Sequence, residues 1–188
     1  YNNIMNVILG LDVSTSKVGL SIINYDGKLL ECQVVKLDSK QPLEDRCLEL
    51  ERVINKYNVL NYINNHTVPY NIKEVYIEQA FIMFSGGKTT AMTMSKLQRF
   101  NGMCSFMVRR LFGFNPVLIA ANRARSINGI KIKRGENTKK KVIEWVAAKY
   151  PKDFLVELTR YGNPKSGTDD MADAVVVALA GLNGGENG

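Results

Sequence analysis

The sequence predicts an α/β fold in which helices cover both faces of a mixed five-stranded sheet. Three strand-like segments follow one another at the start of the chain, and further strand-like segments then alternate with amphipathic helical ones. With 188 residues, 45% of them apolar, the chain has enough apolar side chains for the core of one domain. We expect this domain to span residues 1–182, followed by a disordered tail over 183–188.

The first three strands are predicted to form an antiparallel meander. Residues 6–13 are almost continuously apolar, as in a strand buried on both faces. Residues 18–25 and 28–37 follow as the second and third strands. They are joined by Asp26-Gly27, a dipeptide typical of tight hairpin turns.

The rest of the chain is predicted to add two parallel strands and four helices. Apolar residues recur at spacings of three and four in the helical segments, and residues suited to helix starts precede them: Pro42, Asn137 or Thr138, and Thr168. In order, we predict a helix over 42–64, a strand over 73–79, a helix over 89–112, a strand over 115–121, and helices over 137–150 and 169–182. Residues 153–167 show no regular pattern and predict an irregular loop. This order of elements matches the RNase H-like fold.

Positive charge is concentrated in the middle of the chain. The protein has 25 basic and 18 acidic residues, and 17 of the basic but only 4 of the acidic ones lie within residues 79–168. The densest part, residues 123–141, has eight basic side chains and one acid, Glu136. Such a block predicts a polyanionic partner, although an ordinary basic surface would have a similar composition.

Other sequence features narrow the class of protein. No apolar run approaches the roughly 20 residues of a membrane-spanning helix, and no secretory leader is recognisable. The single histidine argues against Ser-His-Asp catalysis, and three cysteines without C-x-x-C spacing indicate reduced thiols. We therefore expect an intracellular, non-secreted protein without membrane contact, in the cytoplasm or nucleoid of a bacterial or phage-infected cell, or in an organelle.

Four acidic residues indicate a metal site. Asp12 interrupts the first apolar strand and Glu78 lies near the end of the fourth, and a carboxylate in such a place is costly to bury without a cation or hydrogen-bond donors. In this strand order the two strands lie side by side. Asp170 and Asp173 share one face of the last helix. Four converging carboxylates repel one another by about 1 kcal/mol per pair even in water, so they require divalent cations, and all-oxygen ligands favour Mg²⁺ or Mn²⁺.

Each acid also has a simpler explanation. Asp12 would fit as a hydrogen-bonded core carboxylate, and acids at the start of the last helix would stabilise its dipole. For Asp169, which faces another direction, we keep the dipole explanation. For the other four acids, separate explanations would be needed in three elements: the first strand, the fourth strand and the last helix. That combination favours a shared site.

The segments around these acids resemble the RuvC-like Holliday junction resolvases. The similar segments are ILGLDVSTSKVGLSII around Asp12, VYIEQAF around Glu78, and TDDMADAVVVALA, in which Asp170 and Asp173 match the family's D-x-x-D pair. The segment GIKIKRGENTKKKVIEW also resembles the family's basic stretch and puts Lys139 where the family has a lysine near its catalytic centre. The resemblance covers nearly the whole chain.

The resemblance implies a Mg²⁺-dependent endonuclease that nicks four-way DNA junctions symmetrically. Two Mg²⁺ ions, for which Mn²⁺ would substitute, would be held by the four acids, and Lys139 would stabilise charge at the scissile phosphate. Nonspecific phosphate contact would also explain Lys139 and its neighbours. A homodimer, formed through the helix over 89–112, would present two identical sites. No small-molecule cofactor is expected.

Further residues are predicted to contact DNA. Phe81, which matches the family's aromatic residue three positions after the glutamate, and Phe84 could stack on unpaired bases, although both would also suit a core. The predicted basic contacts are Lys88, Arg123, Arg125, Lys131, Lys133, Arg134, Lys140 and Lys141.

Three other functions fit part of the sequence. A nuclease for flaps, forks or RNA–DNA hybrids would use the same metal site. A non-catalytic junction-binding module would use the basic block but has no need for four converging acids. An actin-like or sugar-kinase ATPase would explain the segment around Asp12, but that class needs two such domains.

Overall fold

The structure is a computed structural model that describes residues 4–58, 70–80 and 90–184. Five strands form one mixed sheet in the order β3-β2-β1-β4-β5. Its strands are β1 (Met5–Val13), β2 (Lys17–Asn24), β3 (Leu29–Lys36), β4 (Tyr70–Glu78) and β5 (Val117–Ile119). The first three pair antiparallel, whereas β4 runs parallel to both β1 and β5. The predicted meander and two parallel strands are therefore confirmed.

Helices cover both faces of the sheet, as predicted. They are α1 (Leu43–Asn55), α2 (Ala91–Phe112), α3 (Ala121–Ile127), α4 (Thr138–Lys149) and α5 (Thr168–Gly184). One core cluster joins α1 and α2 to the face of β1 that carries Leu9 and Leu11. A second cluster joins α3, α4 and α5 to the opposite face, which carries Ile8. None of these helices is long and apolar enough to cross a membrane.

The predicted boundaries were wrong in several places. The first helix ends at Asn55, because Asn58 already forms a parallel bridge with Tyr70; residues 59–64 lie outside the described ranges. The fifth strand is only three residues long, and the helix α3 that follows it was not predicted. Residues 157–165 form a short hairpin instead of an irregular loop. Helix α5 continues to Gly184, beyond the predicted end at residue 182, and residues 185–188 lie outside the described part.

Helix α5 lies unusually close to the sheet because two glycines face it. A Cβ atom on Gly19 of β2 would stand 1.9 Å from the backbone carbonyl oxygen of Asp170, and one on Gly10 of β1 would stand 2.3 Å from that of Ala174. The buried Ser21 hydroxyl donates a hydrogen bond of 2.9 Å to the same Ala174 carbonyl. The first turns of α5 therefore rest directly on β1 and β2.

Replacing Gly19 by alanine is expected to destabilise the protein by about 3 kcal/mol, because the helix backbone must move to admit the methyl group. Urea denaturation followed by circular dichroism measures this change. The control is Lys96→Ala, an exposed position on α2 that does not line the groove around Phe106. That change should alter the stability by less than about 0.5 kcal/mol. Equal effects of the two substitutions would contradict the packing described above.

Candidate active site

Asp12 and Glu78 lie on the same face of the sheet, at the carboxyl ends of two neighbouring parallel strands. Asp12 pairs in register with Gly19, the residue that α5 contacts. Parallel pairing of Gly10 with Tyr76 continues along both strands, so that two residues later Asp12 and Glu78 come next to each other. The alternation of side chains in β1 and β4 thus directs both carboxylates toward α5.

Helix α5 brings three further acids to this place. Asp169, Asp170 and Asp173 stand in its first two turns, where the helix crosses β2 at Gly19. All three are half-buried. Because residues three apart share a helix face, Asp170 and Asp173 point in similar directions.

The acids lie within electrostatic range of one another. Burial raises the pKa of Asp12 well above its usual value, and the negative charges of Glu78, Asp173, Asp170 and Asp169 raise it further. Burial, with help from Asp173, raises the pKa of Glu78 to about 7. Burial also raises the pKa of Asp173 to about 6, and the charges of Asp169 and Asp170 add to this effect. The fold therefore holds carboxylates close together in spite of their mutual repulsion.

Two of the predicted basic residues lie beside these acids. Arg125, half-buried on α3, opposes the effect of burial and lowers the pKa of both Glu78 and Asp173. Lys139, near the start of α4, forms a hydrogen-bonded ion pair with Asp169. Burial alone would raise the pKa of Asp169, but the contact with Lys139 brings it below its usual value. Asp169 is therefore part of this cluster, and explaining it by the helix dipole alone was insufficient.

A third cation, Lys17, was missed by the sequence analysis. Its ammonium nitrogen lies 3.3 Å from Oδ2 of Asp170 and donates a hydrogen bond of 3.1 Å to the hydroxyl of Ser166. Oδ2 of Asp170 is buried and accepts no hydrogen bond, so the contact with Lys17 is ionic only. The one available signal was the position of Lys17 at the start of the second strand, five residues after Asp12.

Two side chains outside the cluster hold the backbone around it. The buried Asn101 of α2 donates a hydrogen bond of 3.1 Å to the backbone carbonyl of Glu78 and so ties α2 to the end of β4. Arg46 of α1 is 97% buried and fixes the loop that follows Asp12. Its guanidinium donates to three backbone carbonyls, those of Thr15, Ser39 and Gln41.

The donor set suits a divalent cation with oxygen ligands. The carboxylates are partly desolvated, the pKa values of Asp12, Glu78 and Asp173 are raised, and Oδ2 of Asp170 is buried and accepts no hydrogen bond. Among the described residues, however, no three His, Cys, Asp or Glu side chains form a ready-made metal-binding group. The four-carboxylate metal centre therefore stays a prediction.

The other predicted contact residues are spread over the basic surface. Arg123 is exposed on α3, and Lys131, Lys133 and Arg134 are exposed in the loop between α3 and α4. On α4, Lys140 lies 3.9 Å from Glu144, and Lys141 lies 3.2 Å from Glu136. Phe81, Phe84 and Lys88 lie outside the described residues.

The sheet order β3-β2-β1-β4-β5, with helices on both faces, is that of the RNase H-like fold. No family model matches the sequence, and no curated protein matches it. Among solved structures, the chain is similar to Thermus thermophilus RuvC in complex with a Holliday junction substrate, with a TM-score of 0.60 and 16% identity over 93% of this chain and 90% of that one.

Two further resolvases are similar. For Ydc2, the yeast mitochondrial Holliday junction resolvase, the TM-score is 0.59 with 14% identity, over 96% of this chain and 79% of that one. For the fowlpox virus resolvase in complex with Holliday junction DNA, the TM-score is 0.51 with 18% identity, over 96% of this chain and 99% of that one. The predicted resemblance to RuvC-like resolvases is thus confirmed for the fold.

Without metal, the stability of the protein is expected to fall as the pH rises from about 4.5 to 7. The folded state holds the proton of Glu78 up to pH 7, whereas the unfolded chain releases it near pH 4.5, so the folded state binds more protons in this window. Above pH 7 the loss from Glu78 alone is on the order of 3 kcal/mol.

Urea denaturation in EDTA at pH values between 5 and 8 measures this dependence, with Glu78→Gln as the comparison. The Gln variant should show a smaller loss of stability and should be more stable than the parent at pH 8. If stability depends on pH in the same way in the two proteins, Glu78 is not the source of the predicted loss of stability.

Proposed function

We propose that this protein is a Mg²⁺-dependent endonuclease that resolves four-way DNA junctions by paired, symmetric hydrolysis of phosphodiester bonds. The observation that carries the proposal is the gathering of half-buried acids from β1, β4 and α5 at one end of the sheet, where burial and neighbouring negative charges raise the pKa of Asp12, Glu78 and Asp173. A cluster of partly desolvated carboxylates of this kind favours bound cations and is typical of a functional site. The similar RuvC and fowlpox structures contain Holliday junction DNA, which supports the choice of substrate.

Asp12, Glu78, Asp170 and Asp173 would hold two Mg²⁺ ions, and Mn²⁺ would substitute for them. When bound, the ions supply an activated water and charge stabilisation at the leaving 3′ oxygen. The protein's own contribution would be to hold these four half-buried carboxylates on strands and a helix, which restricts their positions.

The cations beside the acids have separate roles in this proposal. The Lys139 side chain is 72% exposed, so its ammonium can reach a phosphate while Asp169 holds it in place. Arg125 is half-buried and close enough to Glu78 and Asp173 to lower their pKa values. We therefore assign it to the acidic site and not to the exposed DNA-binding surface. Exposed DNA contacts are assigned to Arg123, Lys131, Lys133, Arg134, Lys140 and Lys141, and Phe81, Phe84 and Lys88 are kept as predicted contacts.

Symmetric cleavage requires two copies, and the face formed by α1 and α2 is suited to a homodimer. A groove of about 670 Å³ runs between the two helices and is lined by Leu48, Met103 and Phe106. Leu48 is 47% exposed and Phe106 is 69% exposed, which is costly in a monomer. Two ion pairs flank the groove, Arg99–Glu44 and Arg110–Glu51. We therefore keep the prediction that a homodimer forms through the long helix α2.

Substituting Asn for Asp173 or Gln for Glu78 is expected to reduce junction cleavage by at least about 10²- to 10³-fold, because each change removes a charge that holds the cations. Binding of the junction should be retained. Cleavage of a labelled four-way junction in Mg²⁺ and a mobility-shift assay measure the two properties. Asp45→Asn, an exposed acid on α1, is the matched control and should cleave normally. Full activity of the Asp173→Asn protein would refute the site.

The choice of substrate is tested with a four-way junction, a flap, a linear duplex and an RNA–DNA hybrid, each with and without EDTA. Paired nicks confined to the junction are expected. Equal cleavage of flaps or hybrids would support the metal site but would indicate a nuclease of broader specificity than a junction resolvase. Tight binding without cleavage in Mg²⁺ or Mn²⁺ would favour a non-catalytic binding module.

Phe106→Glu is expected to convert the dimer into a monomer, because it places a charge in the apolar groove. Sedimentation equilibrium measures the change in mass. Val117→Glu, at a half-exposed position on the sheet edge, is the control and should remain dimeric. A Phe106→Glu protein with the same mass as the parent would place the dimer interface elsewhere.

A further inference from the structure

A hairpin over residues 157–165 projects from the molecule just before α5. Leu158 and Pro164 form its antiparallel bridge, and Gly162, with φ at +76°, closes the turn. Two backbone hydrogen bonds also cross it, from Lys165 to Glu157 at 2.9 Å and from Thr159 to Asn163 at 2.7 Å. The hairpin therefore has a defined backbone, although all of its residues are exposed.

The tip of the hairpin carries an arginine stacked on an aromatic ring. The guanidinium of Arg160 lies 4.6 Å from the centre of the Tyr161 ring, and Tyr161 is 73% exposed. Leu158 beside it is 55% exposed. Among the described residues, Arg160 forms no ion pair with a carboxylate. Exposed aromatic rings combined with arginine are a common binding surface for nucleic-acid bases.

A groove of about 490 Å³ runs along the base of the hairpin toward β3. Three lysines line it, Lys36, Lys152 and Lys165, together with the acids Asp153 and Glu157. Lys165 pairs with Glu157 at 2.6 Å, which neutralises one of the acids. Lys36 and Lys152 form no ion pair within the described part of the chain. The groove therefore offers free ammonium groups to an anionic chain.

One end of the groove lies next to the acidic cluster, although none of the clustered acids lines it. Ser166, which lines it, accepts the hydrogen bond of Lys17, the residue that contacts Asp170. Thr168 also lines the groove and begins α5. Gly167 between them packs so closely on Val34 that a Cβ would lie 2.9 Å from that side chain. This contact fixes the hairpin base relative to the sheet.

We propose that the hairpin over 157–165 is a second DNA-contacting element, which guides one strand along the lysine-lined groove into the site. Tyr161 stacks on a base or sugar of the strand, and Lys36 and Lys152 contact its phosphates. This inference rests on the proposed function, since it takes the substrate to be branched DNA. The free cations beside exposed apolar groups favour a nucleic acid over a second copy of this basic chain.

The test measures binding of a fluorescent four-way junction by anisotropy, in the cleavage-deficient Asp173→Asn background. Tyr161→Ala should weaken binding about tenfold, whereas Tyr161→Phe should bind as tightly as the parent, because the aromatic ring is what stacks. Lys152→Ala should weaken binding and lower the slope of log affinity against log salt by about one. Tyr25→Ala is the matched control, because this exposed tyrosine lies at the far end of β2 from the acids.

The outcomes separate this inference from the proposed function. If the parent protein binds the junction and Tyr161→Ala binds equally well, the role of the hairpin is refuted while the proposed function stands. If the parent does not bind any branched DNA, the proposed function fails, and the hairpin proposal with it. A change in mass of the Tyr161→Ala protein in sedimentation, without a loss of DNA affinity, would assign the hairpin to contacts between copies and would also overturn the proposal.

Discussion

The candidate site depends on the close packing of the α5 backbone against the sheet. Gly10 and Gly19 lack side chains, so the helix backbone reaches β1 and β2 at the carbonyls of Ala174 and Asp170. Gly19 is also the register partner of Asp12. The packing of backbone on backbone therefore sets how close the acids of α5 come to the acid of β1. An ordinary layer of side chains between helix and sheet would move them apart.

The cluster gathers negative charge at a cost that the rest of the fold must offset. Three cations reduce this cost, and each comes from a different element: Lys17 from β2, Arg125 from α3 and Lys139 from α4. None of them cancels the effect of burial on Glu78, whose pKa remains near 7. The stability of the metal-free protein is therefore reduced at the place where the chemistry is proposed, as is common for functional sites.

Much of the fold and the four principal acids could be predicted because their signals are local. Asp12 and Glu78 stand out since they interrupt apolar strands, and the period of each element fixes the face of its side chains. Helix α3 could not be predicted, because it is seven residues long and no side chain caps its start. Lys17 was missed because its partners Ser166 and Asp170 lie about 150 residues along the chain, and Arg46 because its bonds to backbone carbonyls leave no pattern in the sequence.

The dependence on α5 also bears on when the protein acquires its activity during synthesis. Ser21 and Ala174, which lie 153 residues apart in the chain, must meet before the acids of the helix can join those of the strands. Residues 174–181 are all buried, so this helix has no solvated face that would stabilise it alone. A nascent chain that has folded its meander thus carries only part of the carboxylate set. The proposed metal site is therefore complete only after α5, the last helix of the described chain, has been synthesised and has packed on the sheet.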